Sequence, residues 1–220
     1  MGTLIFDLDG TLTDPEEGIT RCVAHALEGF GIHVEDTHTL TPFIGPPLKD
    51  SFMRFYGFSE EEALRAVALY RERFSDVGIF ENAPYPGIGP LLGRLREAGL
   101  TLAVASSKPE VYVRRILEHF DLAAPFAAVC GSELDGRRVK KAEVVAYALD
   151  SLGLAPSPAA VMVGDREYDV LGAHGAGLRC VGALWGFGSR EELSLAGAEW
   201  LAGSVEELDS IVRGIPELWA

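Results

Sequence analysis

Two aspartates two residues apart, Asp7 and Asp9, stand where an apolar run stops. The run, Leu4-Ile5-Phe6, reads as a buried parallel strand. Side chains alternate along a strand, so Asp7 and Asp9 share one face at its end. Two carboxylates held in that way repel each other until a cation or a shared proton relieves them. Gly10 lets the backbone turn sharply behind them, and Thr11 can bond back to the turn. Strand ends of this kind are where open α/β sheets place their ligands. A simple Asx turn would also produce one Asp-x-Asp pair, so the weight falls on what lies downstream.

Asp7-Leu8-Asp9-Gly10-Thr11-Leu12 resembles the first motif of the haloacid dehalogenase-like superfamily, in its phosphatase form. That resemblance implies three more motifs in fixed order. The second is a hydroxyl residue at the end of the next core strand, and Leu102-Ala103-Val104-Ala105-Ser106-Ser107-Lys108 supplies Ser106. Many relatives carry Asn where this chain has Ser107, and no role follows for it. The third is a lysine at a helix start. Lys140 and Lys141 both qualify, and Lys141-Ala142-Glu143-Val144 matches the family pattern better. The fourth is Ala160-Val161-Met162-Val163-Gly164-Asp165, with Asp169 four residues on. Asp169 reads either as a helix N-cap or as a group that binds metal through water. All four in order make the resemblance specific, and it runs from Leu4 to about Gly188.

The resemblance implies a phosphomonoesterase with Asp7 as nucleophile and Asp9 as the acid and base on the leaving group and water. Ser106, Lys141, Gly10 and Thr11 would hold the phosphoryl group. Mg2+ would be bound by the side chains of Asp7 and Asp165, the backbone carbonyl of Asp9, and Asp169; hard oxygen donors suit that ion. The dehalogenases of the superfamily lack the second acid, so Asp9 points to phosphoryl transfer. Two rivals remain. A β-phosphoglucomutase-like isomerase shares all four motifs, and a phospho-accepting receiver module uses a similar acidic cluster but is shorter.

The elements that must position these groups follow from punctuation and periodicity. Asp14 followed by Pro15, Glu16 and Glu17 is a helix start, with Asp14 as N-cap, and the helix is expected to end near Gly31. A second helix is expected over about 47–56. A third begins at Ser59, where Ser59 and Glu62 have capping-box spacing and Ala63, Val67, Tyr70 and Phe74 form one stripe. Beyond Pro84-Tyr85-Pro86-Gly87, helical patterns alternate with short apolar runs at 100–105, 127–130, 160–163 and near Cys180, with a last helix from about Ser204. This predicts an α/β fold: a doubly wound, parallel-sheet, Rossmann-like core (1–14 and 82–220) with an inserted helical cap (15–81). An insert of this size resembles that of phosphoglycolate phosphatases and 5′-nucleotidases. Its Ile44-Gly45-Pro46-Pro47-Leu48-Lys49 turn offers Lys49 as a substrate contact, against the simpler reading of an exposed lysine.

Composition bounds the partners. The 220 residues carry a formal charge of −14, which disfavours nucleic acid, and no apolar stretch is long enough to span a membrane. Cys22, Cys130 and Cys180 lack metal-ligand spacing and read as buried reduced thiols. With no secretory signal visible ahead of the first strand, a cytoplasmic enzyme is expected, acting on a small phosphomonoester as a monomer or homodimer.

Overall fold

Leu4-Ile5-Phe6 forms the strand its apolar run predicts. In the computed structural model, which describes residues 2–220, β1 (Thr3–Phe6) is buried along its whole length. The next two strands, β2 (Thr13–Asp14) and β3 (Ala83–Pro84), form a separate two-stranded ribbon. The main sheet adds β4 (Thr101–Pro109), β5 (Ala128–Ser132), β6 (Ala160–Gly164), β7 (Arg179–Ala183) and β8 (Trp200–Ala202). Its order is β5-β4-β1-β6-β7-β8, and every neighbouring pair is parallel. After β1 the chain builds outward through β4 and β5, then returns to the other side of β1 with β6. That reversal is a topological switch point, and the crevice beyond the strand ends there is the expected ligand site of a doubly wound sheet.

Contacts divide the chain into two compact units, Met1–Asp14 with Pro84–Ala220, and Pro15–Ala83. The second is built on α1 (Glu16–Glu28), α2 (Leu48–Tyr56) and α3 (Glu60–Arg73), with a 3-10 turn at Thr37–Phe43 and a π turn at Phe74–Gly78. The capping box at Ser59 forms as expected: its hydroxyl accepts from the Glu62 N–H while the Glu62 carboxylate accepts from the Ser59 N–H. Ala63, Tyr70 and Phe74 of the expected stripe are buried, but Val67 is only half-buried and the neighbouring Ala66 is buried in its place. The start of α1 differs from expectation. Pro15, not Asp14, is the N-cap, because Asp14 is still extended in β2 and no side chain caps the helix.

In the sheet unit the helices are α4 (Ile88–Glu97), α5 (Glu110–His119), α6 (Lys141–Ser151), α7 (Glu167–Gly175), α8 (Arg190–Ala196) and α9 (Val205–Arg213). Val144, Val145, Ala148 and Leu149 of α6 pack with Val170 and Ala173 of α7 against Ile5, Ala103, Ala105 and Met162 of the sheet. Burying a Val or Leu contributes about 1.5–3 kcal/mol each, enough to fix where α6 and α7 begin. The short α8 and the three-residue edge strand β8 escape the sequence reading, because neither is long enough to display a period. Among the described residues no helix is long and apolar enough to cross a membrane.

Candidate active site

β1 ends at Phe6, and the next side chain, Asp7, is buried at the switch point, as are Asp9, Ser106, Lys141, Asp165 and Asp169. The four predicted motifs thus supply groups to one place. Asp7, Asp165 and Asp169 each offer a carboxylate oxygen, and these atoms lie within 4.8 Å of one another. Asp169 is not the N-cap of α7, which is Arg166; it is the third residue of the helix, and its carboxylate reaches back to the cap. Its Oδ2 accepts from the Arg166 N–H at the start of α7 (3.0 Å), while its Oδ1 lies 2.8 Å from the Lys141 Nζ.

The two candidate lysines differ in setting. Lys140 is exposed ahead of α6, whereas Lys141 is buried at its first residue. Its ammonium stands 2.8 Å from Asp7 Oδ1 and 2.8 Å from Asp169 Oδ1, and donates to the Ala105 carbonyl at 3.2 Å. It thus has two ion-pair partners and one hydrogen-bond acceptor. Burial alone would lower its pKa, but the Asp169 and Asp7 charges outweigh burial and hold the ammonium protonated.

The carboxylates feel the opposite strain. Burial, reinforced by Asp169 and Asp7, raises the Asp165 carboxyl well above the usual range. Burial also pushes Asp169 up to about 6, against the pull of Lys141. Four buried carboxylates (Asp7, Asp9, Asp165 and Asp169) face two buried ammonium groups, Lys141 and Lys108. The shortfall of positive charge and the all-oxygen donor set fit a hard divalent cation at Asp7, Asp165 and Asp169.

The turn behind Asp7 is built around close approach. Gly10 has φ +80°, and a Cβ there would strike the Asp165 carboxylate, so only glycine fits. Thr11 is fully buried, and its hydroxyl is 3.4 Å from Asp165 Oδ1. Ser106 lies buried in β4 and accepts from the Lys108 N–H at 3.4 Å.

Two contributors were missed by the sequence reading. The Lys108 ammonium donates to Asp9 Oδ1 at 2.7 Å, with both side chains about nine-tenths buried. Lys108 stands two residues beyond Ser106, but only the extension of β4 to Pro109 puts the two on one strand. The other is the loop 185–188. The Phe187 N–H donates to Asp165 Oδ2 at 2.8 Å, and the Trp185 indole donates to the Thr11 carbonyl at 3.1 Å. Lys49, the candidate contact from the helical insert, is ion-paired with Glu60 at 2.6 Å and exposed to solvent in part.

Comparison with known proteins agrees with this arrangement. The family described as haloacid dehalogenase-like hydrolase matches residues 4–183. A 5′-nucleotidase of Pseudomonas aeruginosa is 51% identical over 86% of this chain and 86% of its own length. The tyrosine-protein kinase PtkA of Mycobacterium tuberculosis is 44% identical over 84% of this chain, which spans 62% of that relative's length. Among solved structures, a predicted phosphatase from Clostridium acetobutylicum superposes with a TM-score of 0.94 at 49% identity, covering 97% of this chain and 98% of that one. With the match covering most of the sheet unit and the neighbours named phosphatases, the chain belongs to the haloacid dehalogenase-like hydrolases, as one of their phosphatases.

Proposed function

We propose that this chain is a Mg2+-dependent phosphomonoesterase that hydrolyses a small phosphorylated metabolite, of phosphoglycolate or 5′-nucleotide type, through an aspartyl phosphate. The observation that carries the reading is the Lys141 ammonium bridging Asp7 and Asp169 inside a buried carboxylate cluster short of positive charge. Asp7, Asp165 and Asp169, with the Asp9 carbonyl, would hold the metal. When bound, the ion supplies Lewis-acid stabilisation of charge on the phosphoryl oxygens.

The residues divide the reaction into two displacements. A carboxylate oxygen of Asp7 attacks phosphorus, the bond to the leaving oxygen breaks, and Asp9 gives that oxygen its proton. Asp9, now a carboxylate, takes a proton from water as the water oxygen attacks phosphorus. The Asp7–phosphorus bond breaks and inorganic phosphate leaves with Asp9 reprotonated. Lys141 and the Ser106 hydroxyl would share the charge of the transferred group. Residues 15–81 are assigned the selection of substrate.

Phosphate release with Mg2+ tests this across 2-phosphoglycolate, nucleoside 5′-monophosphates and hexose phosphates. A phosphotyrosine peptide joins the panel because one relative is named a tyrosine kinase. Release that is lost in Asp7→Asn and in EDTA is the expected result. Absence of release from every compound overturns the proposal.

A further inference from the structure

The Asp9 carboxylate sits two residues from Asp7 yet stands outside the three-aspartate cluster. That exclusion needs a cause. A buried carboxylate beside a divalent cation is a strong candidate ligand, and once bound to metal it would no longer carry a proton to the leaving group. In this chain Asp9 Oδ1 instead accepts from the Lys108 ammonium at 2.7 Å, with 11% and 8% of the two side chains exposed. A charge-assisted hydrogen bond in so enclosed a place is short and strong, and breaking it would be costly.

Lys108 reaches Asp9 because β4 runs on past Ser106. The pairing of β4 with β5 shifts register between Ser106 and Pro109, an irregularity of the kind that re-aims side chains beside active sites. The ammonium groups therefore divide three of the four carboxylates between them: Lys141 lies on Asp7 and Asp169, and Lys108 lies on Asp9, while Asp165 accepts from the Phe187 N–H.

We propose that Lys108 is a positioning residue that holds the Asp9 carboxylate away from the metal and so keeps it available as the acid and base. The inference rests on the phosphatase reading above. It assigns Lys108 an effect on metal binding and on turnover that have opposite signs: without it, the metal is held more tightly and the reaction slows.

The test is a direct calorimetric titration of Mg2+ into the wild type, Lys108→Met, Lys108→Arg, Asp9→Asn and the Asp9→Asn/Lys108→Met double variant, with phosphate release measured in parallel. Lys108→Met is expected to bind Mg2+ roughly tenfold more tightly while kcat falls by at least about tenfold, the scale on which groups supporting metal ligands act. Lys108→Arg, which keeps the charge and the donor, is expected to restore both. Removing a positive charge would by itself favour a cation, and the Asp9→Asn background separates that effect. There, adding Lys108→Met is expected to tighten Mg2+ binding by clearly less than in the wild-type background, the charge effect alone, because no carboxylate remains to be released.

Equal or weaker Mg2+ binding in Lys108→Met overturns the inference, and so does the same tightening in the Asp9→Asn background. Lys108→Gln, closer to the lysine in polarity, carries the same comparison if the methionine variant does not fold. A wild type that binds Mg2+ but releases no phosphate would sink the phosphatase reading, while the affinity cycle would still decide whether Lys108 restrains Asp9.

Discussion

Two ion-pair networks, one in each unit, handle charge in opposite ways. In the helical unit, Glu81 receives Arg73 Nη1 at 2.6 Å and Nη2 at 2.9 Å, and Arg21 Nη1 at 2.9 Å. The forked guanidinium of Arg73 matches the carboxylate, Arg21 is shared with Glu17 so that two cations meet two anions, and Arg73 holds the Glu81 carboxyl below its usual range. At the strand ends of the other unit, carboxylates exceed ammonium groups and burial raises Asp165 and Asp169. A network that only holds a fold satisfies its own charges. One left short of a cation is arranged for something that arrives later, and the comparison can be broken or sharpened by substitution.

The largest effect is expected from Asp7→Asn. An amide cannot form the aspartyl phosphate, and phosphate release is expected to fall by more than roughly 10⁴-fold, as when other covalent nucleophiles are removed. The fold should persist, since the change removes a negative charge from a crowded site; far-UV circular dichroism checks this. Turnover close to that of the wild type would mean that the cluster is a structural network like the one around Glu81.

Lys141→Met comes next. It strips the shared partner from Asp7 and Asp169, and losing one side of a buried ion pair costs about 3–5 kcal/mol. A divalent cation can offset part of that loss here, so Mg2+ should raise the Tm of the variant more than that of the wild type. Equal shifts would show that Lys141 and the metal do not act on the same carboxylates.

Much of this site was legible in the sequence, for a physical reason. Asp7, Lys141 and Asp165 occupy strand ends or a helix start, where a change from apolar to polar residues coincides with a change of local structure, while Ser106, expected at a strand end, lies inside β4 at the last regular pair with β5 before the register shifts. The helical unit was legible where Ser59 and Glu62 announce a cap. Lys108 was not, because a lysine after a strand is ordinarily solvated, and only the continuation of β4 past Ser106 brings it to Asp9. Nor was the 185–188 loop, whose contributions to Asp165 and Thr11 come from one backbone N–H and one indole. Backbone donors leave no mark in the side-chain pattern. β8 and α8 stayed hidden because three and seven residues carry too little periodicity.

A smaller effect should appear in the pH dependence of stability without divalent metal. The Asp169 carboxyl rises from 3.8 to about 6 on folding, chiefly through burial, so between those values the folded state binds more protons than the unfolded chain. Its contribution is therefore greatest at low pH and is lost as pH rises through about 6. Asp169→Asn should flatten that part of the urea-unfolding profile. Saturating Mg2+ should flatten it in the wild type as well, because a bound cation favours the ionised carboxylates. A slope that survives in the variant would assign the titration elsewhere.

The smallest effect, of opposite sign, is expected at Glu81. Its folded pKa lies below the ordinary 4.5, so its pairing is fully present above that value and is lost as pH falls through the lower folded pKa. Glu81→Gln keeps the shape of the side chain and some hydrogen bonding but removes the charge. The partly exposed setting limits the loss to about 1 kcal/mol at neutral pH. That loss should shrink toward zero in acid, where the wild-type carboxylate is itself protonated, while phosphate release at neutral pH changes by less than about twofold. Urea unfolding from acid to neutral pH, run beside Asp169→Asn, puts the two networks on one axis. If both variants bend the same limb of the profile, the contrast between a self-satisfied pair and a cation-deficient cluster fails. If they bend opposite limbs, the sign of each titration marks which network the fold completes by itself.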